Sequence, residues 1–235
     1  MAGRERRPVR ARPQCSFLRR NGLSLVVAIL FLAFMAGQGL TGARQYNEDR
    51  IAHGETPVAL AAYLTSGHFL EAIGENWESE FLQMAAYVLL TAWLYQQGSS
   101  ESKQPGVPEE VDRDPREARG QRREEAPWPV RRGGWMLKIY ENSLALAFLA
   151  LFLISFALHA VGGMRAYNEE AQVLGDASIT LADYLASSRF WFESFQNWQS
   201  EFLALVAMIV LSIWLRQRGS PESKPVDAPH SHTGS

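Results

Sequence analysis

The chain has one cysteine, Cys15, so no disulfide can form within it,. It also lacks the short motifs that announce most enzyme chemistries. There is no nucleophile elbow, no pair of histidines at metalloprotease spacing and no glycine-rich phosphate loop,. No catalytic residue, resident metal or cofactor is therefore expected, and His230 and His232 fall in a polar tail. A strong charge imbalance is missing as well, the formal net charge being −2. The basic runs that do occur lie beside apolar blocks, which points to membrane rather than nucleic acid. Finally, the hydrophobic residues are not spread as a soluble core requires. They collect in four blocks, 23–40, 81–95, 144–161 and 202–215.

What is present is a long internal repeat. Asn76-Trp77-Glu78-Ser79-Glu80-Phe81-Leu82 returns as Asn197-Trp198-Gln199-Ser200-Glu201-Phe202-Leu203. Residues 21–103 superpose on 142–224 without a gap, with roughly 35 of about 83 positions identical,. The first apolar block resembles a secretory signal, but its copy in mid-chain has no such role, so both read as membrane helices. The expected fold is all-α, with four transmembrane helices from two tandem two-helix repeats. Each repeat adds a short interfacial helix on the outer side, starting near Thr56-Pro57 or Ser178. The domain reading is a disordered basic tail 1–20, repeat 1 over 21–98, a disordered charged linker 99–135, repeat 2 over 136–219 and a disordered tail 220–235. Spans are placed at about 23–43, 77–97, 142–164 and 198–217.

The apolar block 23–40 of the first span covers ~27 Å, close to the hydrocarbon thickness. The second is short in apolar residues, but Trp77 and Trp93 stand ~24 Å apart along a helix, about the distance between two aromatic belts. Trp198 and Trp214 repeat that spacing, and these four residues are read as interfacial anchors. Arginine supplies the orientation. Residues 1–20 hold seven Arg against one Glu, whereas 41–80 hold two Arg against seven acids and 163–201 two against six. Both termini and the linker are thus expected in the cytoplasm and both acidic loops outside, with the two repeats related by a pseudo-twofold axis along the membrane normal. Ala33, Gly37 and Thr41 make a small-residue stripe on the first span, suited to close helix approach.

Several polar positions form a candidate outer-face site. Arg44 and Glu48 in Arg-Gln-Tyr-Asn-Glu, and Arg165 and Glu169 in Arg-Ala-Tyr-Asn-Glu, share a helical face in each repeat,. Glu80 and Glu201 lie one turn inside an interfacial Trp, either as pathway carboxylates or as acids favoured near a helix start, where Asn76 and Asn197 would cap. Within the membrane, Gln38 and His159 occupy equivalent positions and read as hydrogen-bonding glue between helices, or as members of a proton relay.

Residues 44–48, 61–69 and 75–84 together resemble a family of small, uncharacterised bacterial integral-membrane proteins known only as a domain of unknown function. The resemblance covers both repeats, about 19–224, and implies a bacterial cytoplasmic (inner) membrane but no activity. The leading reading is a non-enzymatic structural, interaction or envelope-associated factor whose partner is the lipid bilayer. A small transporter or channel subunit, which at this size would need to form a homo-oligomer, is the alternative, and a membrane-bound enzyme the third. No ligand is named by the residues.

Overall fold

The computed structural model describes residues 17–117, 120 and 124–234. Cys15 and most of the basic segment lie outside them. Among the described residues all regular structure is helical, and the chain divides into two compact units, 1–64 and 65–235.

The first unit contains α1 (Phe17–Arg20), α2 (Gly22–Ala52) and α3 (Leu60–Tyr63). Apolar residues surround α2 from Leu23 to Leu40, as in a helix facing lipid, and its 31 residues reach about 46 Å, longer than a bilayer core,. The helix runs on through Arg-Gln-Tyr-Asn-Glu and ends at Gly54, whose φ of 80° suits only glycine without strain,. The chain then doubles back and is held by Arg50, whose Nε donates to the Thr56 carbonyl (2.9 Å), and by Asn47. Asn47 Nδ2 donates to the Val58 carbonyl (3.0 Å) and Asn47 Oδ1 accepts from the Val58 amide (2.7 Å). This leads into α3 and buries Tyr63 against Gly42, where a Cβ would stand 2.2 Å from the Tyr63 hydroxyl.

The second unit contains α4 (Gly67–Trp93), α5 (Trp128–Arg132), α6 (Gly134–Glu141), α7 (Ser143–Leu174), α8 (Leu181–Leu185) and α9 (Ser188–Leu211). The turn after α7 uses the same device as the turn after α2. Asn168 holds both backbone groups of Ile179 (3.1 and 2.8 Å), and Tyr184 is fully buried against Gly163. Ser66, Thr180 and Ser187 accept a backbone amide at the starts of α4, α8 and α9,.

Helices α4 and α7 run antiparallel with their backbones in contact. A Cβ on Gly74 would sit 2.3 Å from the His159 amide nitrogen, one on Gly162 2.3 Å from that of Glu71, and one on Gly67 2.4 Å from that of Ala166. The close approach is thus carried by these three glycines rather than by the stripe expected on α2, where nothing lies within 4 Å of a Cβ at Gly37. Helix α9 lies alongside α4 and parallel to it, joined at Trp198–Glu78 and at Gln83, whose Nε2 donates to the Glu201 carbonyl (2.7 Å).

Among the described residues, two helices are long and apolar enough to cross a membrane, α2 and α7. The first halves of α4 and α9 carry acids and amides, and their apolar portions are short. Both end earlier than expected, at Trp93 and Leu211 rather than near 97 and 217.

In the described parts of the linker and the tail, side chains hold the chain against the helix ends. Ser102 Oγ accepts from Gln96 N and Ser223 Oγ from Gln217 N, 2.9 Å each, folding the chain back after each helix. Lys103 and Lys224 then reach the free carbonyls of Ala92 and Ile213, both at 3.2 Å,. Buried Lys224 also donates to the carbonyls of Gly98, His230 and His232, drawing the tail onto the linker.

Candidate functional site

The α4–α7 contact sets the site. Glu71, Gly74, Glu75 and Glu78 follow one another at helical spacing along one side of α4,. Because Gly74 brings the backbones together beside His159, these carboxylates are pressed against α7 and the start of α9. His159 and Glu78 have fully buried side chains, 0 % exposed, with His159 Nδ1 3.0 Å from Glu78 Oε2. The second Glu78 oxygen accepts from the Trp198 indole N–H (2.8 Å). His159 Nε2 faces Glu193 Oε2 at 3.4 Å, and Phe190 lies on the imidazole with ring centroids 4.7 Å apart. Phe156 and Trp191 pack edge-on against Phe190 and close that side to water,.

Tyr184 crosses the top of the cluster. Its hydroxyl is 2.9 Å from Glu193 Oε2 and 3.1 Å from Glu71 Oε1. A phenol has one proton to give, so two ionised carboxylates cannot both be satisfied by it. Burial raises Glu71, and neighbouring Glu193 raises it further, whereas Arg189, Tyr184 and His159 pull it down without reversing the shift. Burial also acts to raise Glu193, but bonds from His159, Tyr184 and Arg189 outweigh it and hold that carboxyl below its usual value. The one phenol hydrogen is therefore contested by the two carboxyls, and Glu71, raised by burial, is the more readily protonated of them. Arg189 braces the rim, with Nε to Glu193 Oε1 (3.1 Å) and Nη1 to Glu170 Oε2 (2.9 Å).

Glu75 stands at the mouth. Burial, offset in part by His159 and reinforced by Glu71, Glu193 and Glu78, pushes it up to about 7. Its carboxylate, His159 and Glu193 offer atoms all within 4.8 Å of one another. A cleft of about 350 Å³ leads to them, lined by Glu71, Glu75, Arg189, Glu193, Gln196 and Asn197, with His68 at its edge. The arrangement concentrates negative charge around one imidazole with a single arginine to balance it, and so suits a cation or protons.

Of the residues singled out in the sequence, His159 alone enters the buried cluster, with Trp198 and Asn197 at its border. Its role is more specific than helix glue, since both ring nitrogens face carboxylates. Glu80 is exposed and Glu201 half-buried, and neither is near a helix start, because α4 begins at Gly67 and α9 at Ser188. The capping reading fails for the same reason. Asn76 and Asn197 bond back to the carbonyls of Ala72 (2.6 Å) and Glu193 (3.2 Å), four residues earlier,. Arg44, Glu48, Arg165 and Glu169 are exposed and Gln38 is half-buried. Trp93 and Trp214 project outward and Trp77 is half-buried. In the sequence, Glu71, Glu75, Glu78, Arg189 and Glu193 look like solvated charges and Tyr184 like a core tyrosine. The i, i+4, i+7 spacing of the three acids on α4 was the available signal.

The fold and site define an all-helical protein with two helices able to cross a membrane and a buried carboxylate–histidine centre. The chain belongs to the family of DUF6766, a domain of unknown function, which matches residues 14–235. No curated protein and no solved structure matches it.

Proposed function

We propose that the chain is an integral membrane protein of the bacterial cytoplasmic membrane that binds a small cation at the centre around His159. In this reading it is not an enzyme. It has four spans from two tandem repeats, with both termini and the linker in the cytoplasm. Roughly 35 of about 83 positions are shared between the repeats,. The matched Asn47 and Asn168 clasps, the Tyr63–Gly42 and Tyr184–Gly163 contacts and the two lysine-closed helix ends support that reading.

One observation carries the cation. Four carboxylates, Glu71, Glu75, Glu78 and Glu193, converge on His159, whereas among the described residues lining the cleft Arg189 is the one arginine or lysine, and it is shared with Glu170. Desolvated like charges repel strongly, and a buried charge is tolerated when a counter-ion or proton accompanies it. The pattern is also not demanded by helix packing. The positions corresponding to His159, Glu71, Glu75 and Glu78 in the other repeat are Gln38, Phe192, Gln196 and Gln199, none of which ionises. An ionisable residue at membrane depth marks function where a neutral one could serve.

The test is thermal unfolding of the full chain in lipid nanodiscs against sodium, potassium, tetramethylammonium, calcium and zinc ions. A cation at a hundred times its dissociation constant adds about 2.7 kcal/mol of stability. At least one of the five is expected to raise the midpoint in a saturable way, and the rise is expected to vanish in Glu75→Gln/Glu193→Gln. No saturable shift with any of them would refute the reading.

A further inference from the structure

The cation-binding reading leaves open which cation, and the geometry at His159 narrows it. We infer that the centre is a site for a divalent first-row transition-metal ion, held by His159 Nε2, Glu193 and Glu75, with Glu78 as the residue that orients the imidazole. The inference rests on the reading above and specifies its ligand.

The imidazole supplies the first argument. Buried Glu78 lies 3.0 Å from His159 Nδ1, which fixes the proton there, because a carboxylate accepts and the nitrogen must donate,. The lone pair is then on Nε2, aimed at Glu193 Oε2 3.4 Å away. In the neutral ring two electron-rich atoms then face each other, and something positive lies between them: a proton on Nε2 in the metal-free chain, or a metal ion that displaces it. The spacing itself fits a metal: ligand atoms each about 2.1 Å from a tetrahedral ion are separated by about 3.4 Å. The carboxylate–histidine pair is also the usual support of a metal-bound imidazole, setting its tautomer and holding its ring.

The remaining ligands follow. Glu75 brings a carboxylate within 4.8 Å of the other two donor atoms, and its half-buried side chain can turn to close the gap. No hydrogen bond or ion pair ties it to another described residue. Glu193 is positioned from both sides, by Tyr184 on Oε2 and by Arg189 on Oε1. Phe190 against the ring keeps His159 from swinging away. The cleft beside Glu75 leaves the fourth position to water or a further ligand. One imidazole with two carboxylates suits zinc, cobalt, iron or manganese better than calcium or magnesium, which prefer oxygen donors alone. In the other repeat the corresponding positions are Gln38, Gln196 and Ala72, so the site has one copy per chain.

The experiment measures cobalt(II) and zinc(II) binding to the untagged full chain in nanodiscs by equilibrium dialysis, with the visible spectrum of the cobalt form as a second reading. One ion per chain is expected, with the intense bands of tetrahedral cobalt. Glu75→Gln and Glu193→Gln, which keep side-chain volume, are expected to abolish stoichiometric binding while the helical content by circular dichroism stays that of the wild type. Glu78→Gln is expected to weaken binding about ten- to a hundredfold without abolishing it, as loss of an outer-shell partner does. His230→Ala/His232→Ala, which removes the tail histidines, is expected to leave the single site intact. Binding that disappears in that tail variant, or that survives in both Glu75→Gln and Glu193→Gln, overturns the assignment. Absence of cobalt and zinc binding together with a saturable thermal shift by sodium, potassium or tetramethylammonium also overturns it, and leaves the broader cation reading standing. Absence of both kinds of response removes the two together.

Discussion

At the residue scale the centre is organised by shortage of protons and cations. Tyr184 has one hydrogen for two carboxylates, and burial makes Glu71 the more readily protonated of the two. Its folded-state value lies above its unfolded one, so the folded chain binds more protons than the unfolded chain in the window between them. Stability from this group is therefore present below the unfolded value and is lost as pH rises through the raised folded value. Glu71→Gln keeps an acceptor for Tyr184 and removes the charge. The variant is expected to be more stable than the wild type at pH 8, with the difference shrinking as the pH is lowered to 4. Thermal unfolding in nanodiscs across that range checks it, and a difference that grows at low pH would refute the upward shift of Glu71.

At the element scale the α4–α7 pair is a backbone contact made possible by Gly67, Gly74 and Gly162. A Cβ at Gly74 meets main-chain atoms of His159 and Leu158, which cannot step aside as a side-chain end can. Gly74→Ala is expected to destabilise by about 1–3 kcal/mol, the range for overpacking, and to disturb the centre that the contact assembles. Gly37 on α2 offers the contrast, since a Cβ there meets nothing within 4 Å. Gly37→Ala is expected to be neutral or to stabilise by about 0.5–1 kcal/mol through better helix propensity. Chemical unfolding of the two variants side by side checks the pair, and equal effects would mean that the helices do not touch at Gly74. The asparagine clasps belong to this scale too. Asn47 and Asn168 each replace two backbone partners for the chain that turns back, which is why the Tyr-Asn-Glu segment recurs so faithfully.

At the scale of the whole molecule, arginine asymmetry is the orienting force for the proposed topology. Impermeant thiol reagents added to intact cells are expected to leave Cys15 unlabelled, and likewise a cysteine placed at Ser100 in a Cys15→Ser background. Labelling of either from outside would reverse the orientation and put the mouth beside Glu75 on the cytoplasmic side. The side matters to the cation proposal, because it decides whether the centre samples the cell's metal pool or the exterior.

Much is legible in the amino-acid sequence alone. The periodic return of Asn-Trp-x-Ser-Glu-Phe-Leu, the four apolar blocks and the location of arginine are properties of the chain itself. They give an all-helical protein with helices able to enter a membrane because hydrophobic length and positive charge act locally, one segment at a time. The identity of the buried carboxylate is of another kind. Glu78 and Glu80 stand two residues apart, hence roughly 200° around a helix, so one of them can face the protein while the other faces away. Hydropathy and depth are nearly the same for both, and neither reveals which face meets α7. The glycines of α4 and α7 decide it, by allowing the backbones to touch with Glu71, Glu75 and Glu78 turned inward. Glu193 and Arg189 likewise read as solvated charges until the start of α9 is laid beside His159. Segment-level chemistry was thus fixed by sequence, whereas the meeting of donors from three helices at one imidazole is a property of the tertiary packing, because distances between residues about 80 positions apart are set by how helices cross.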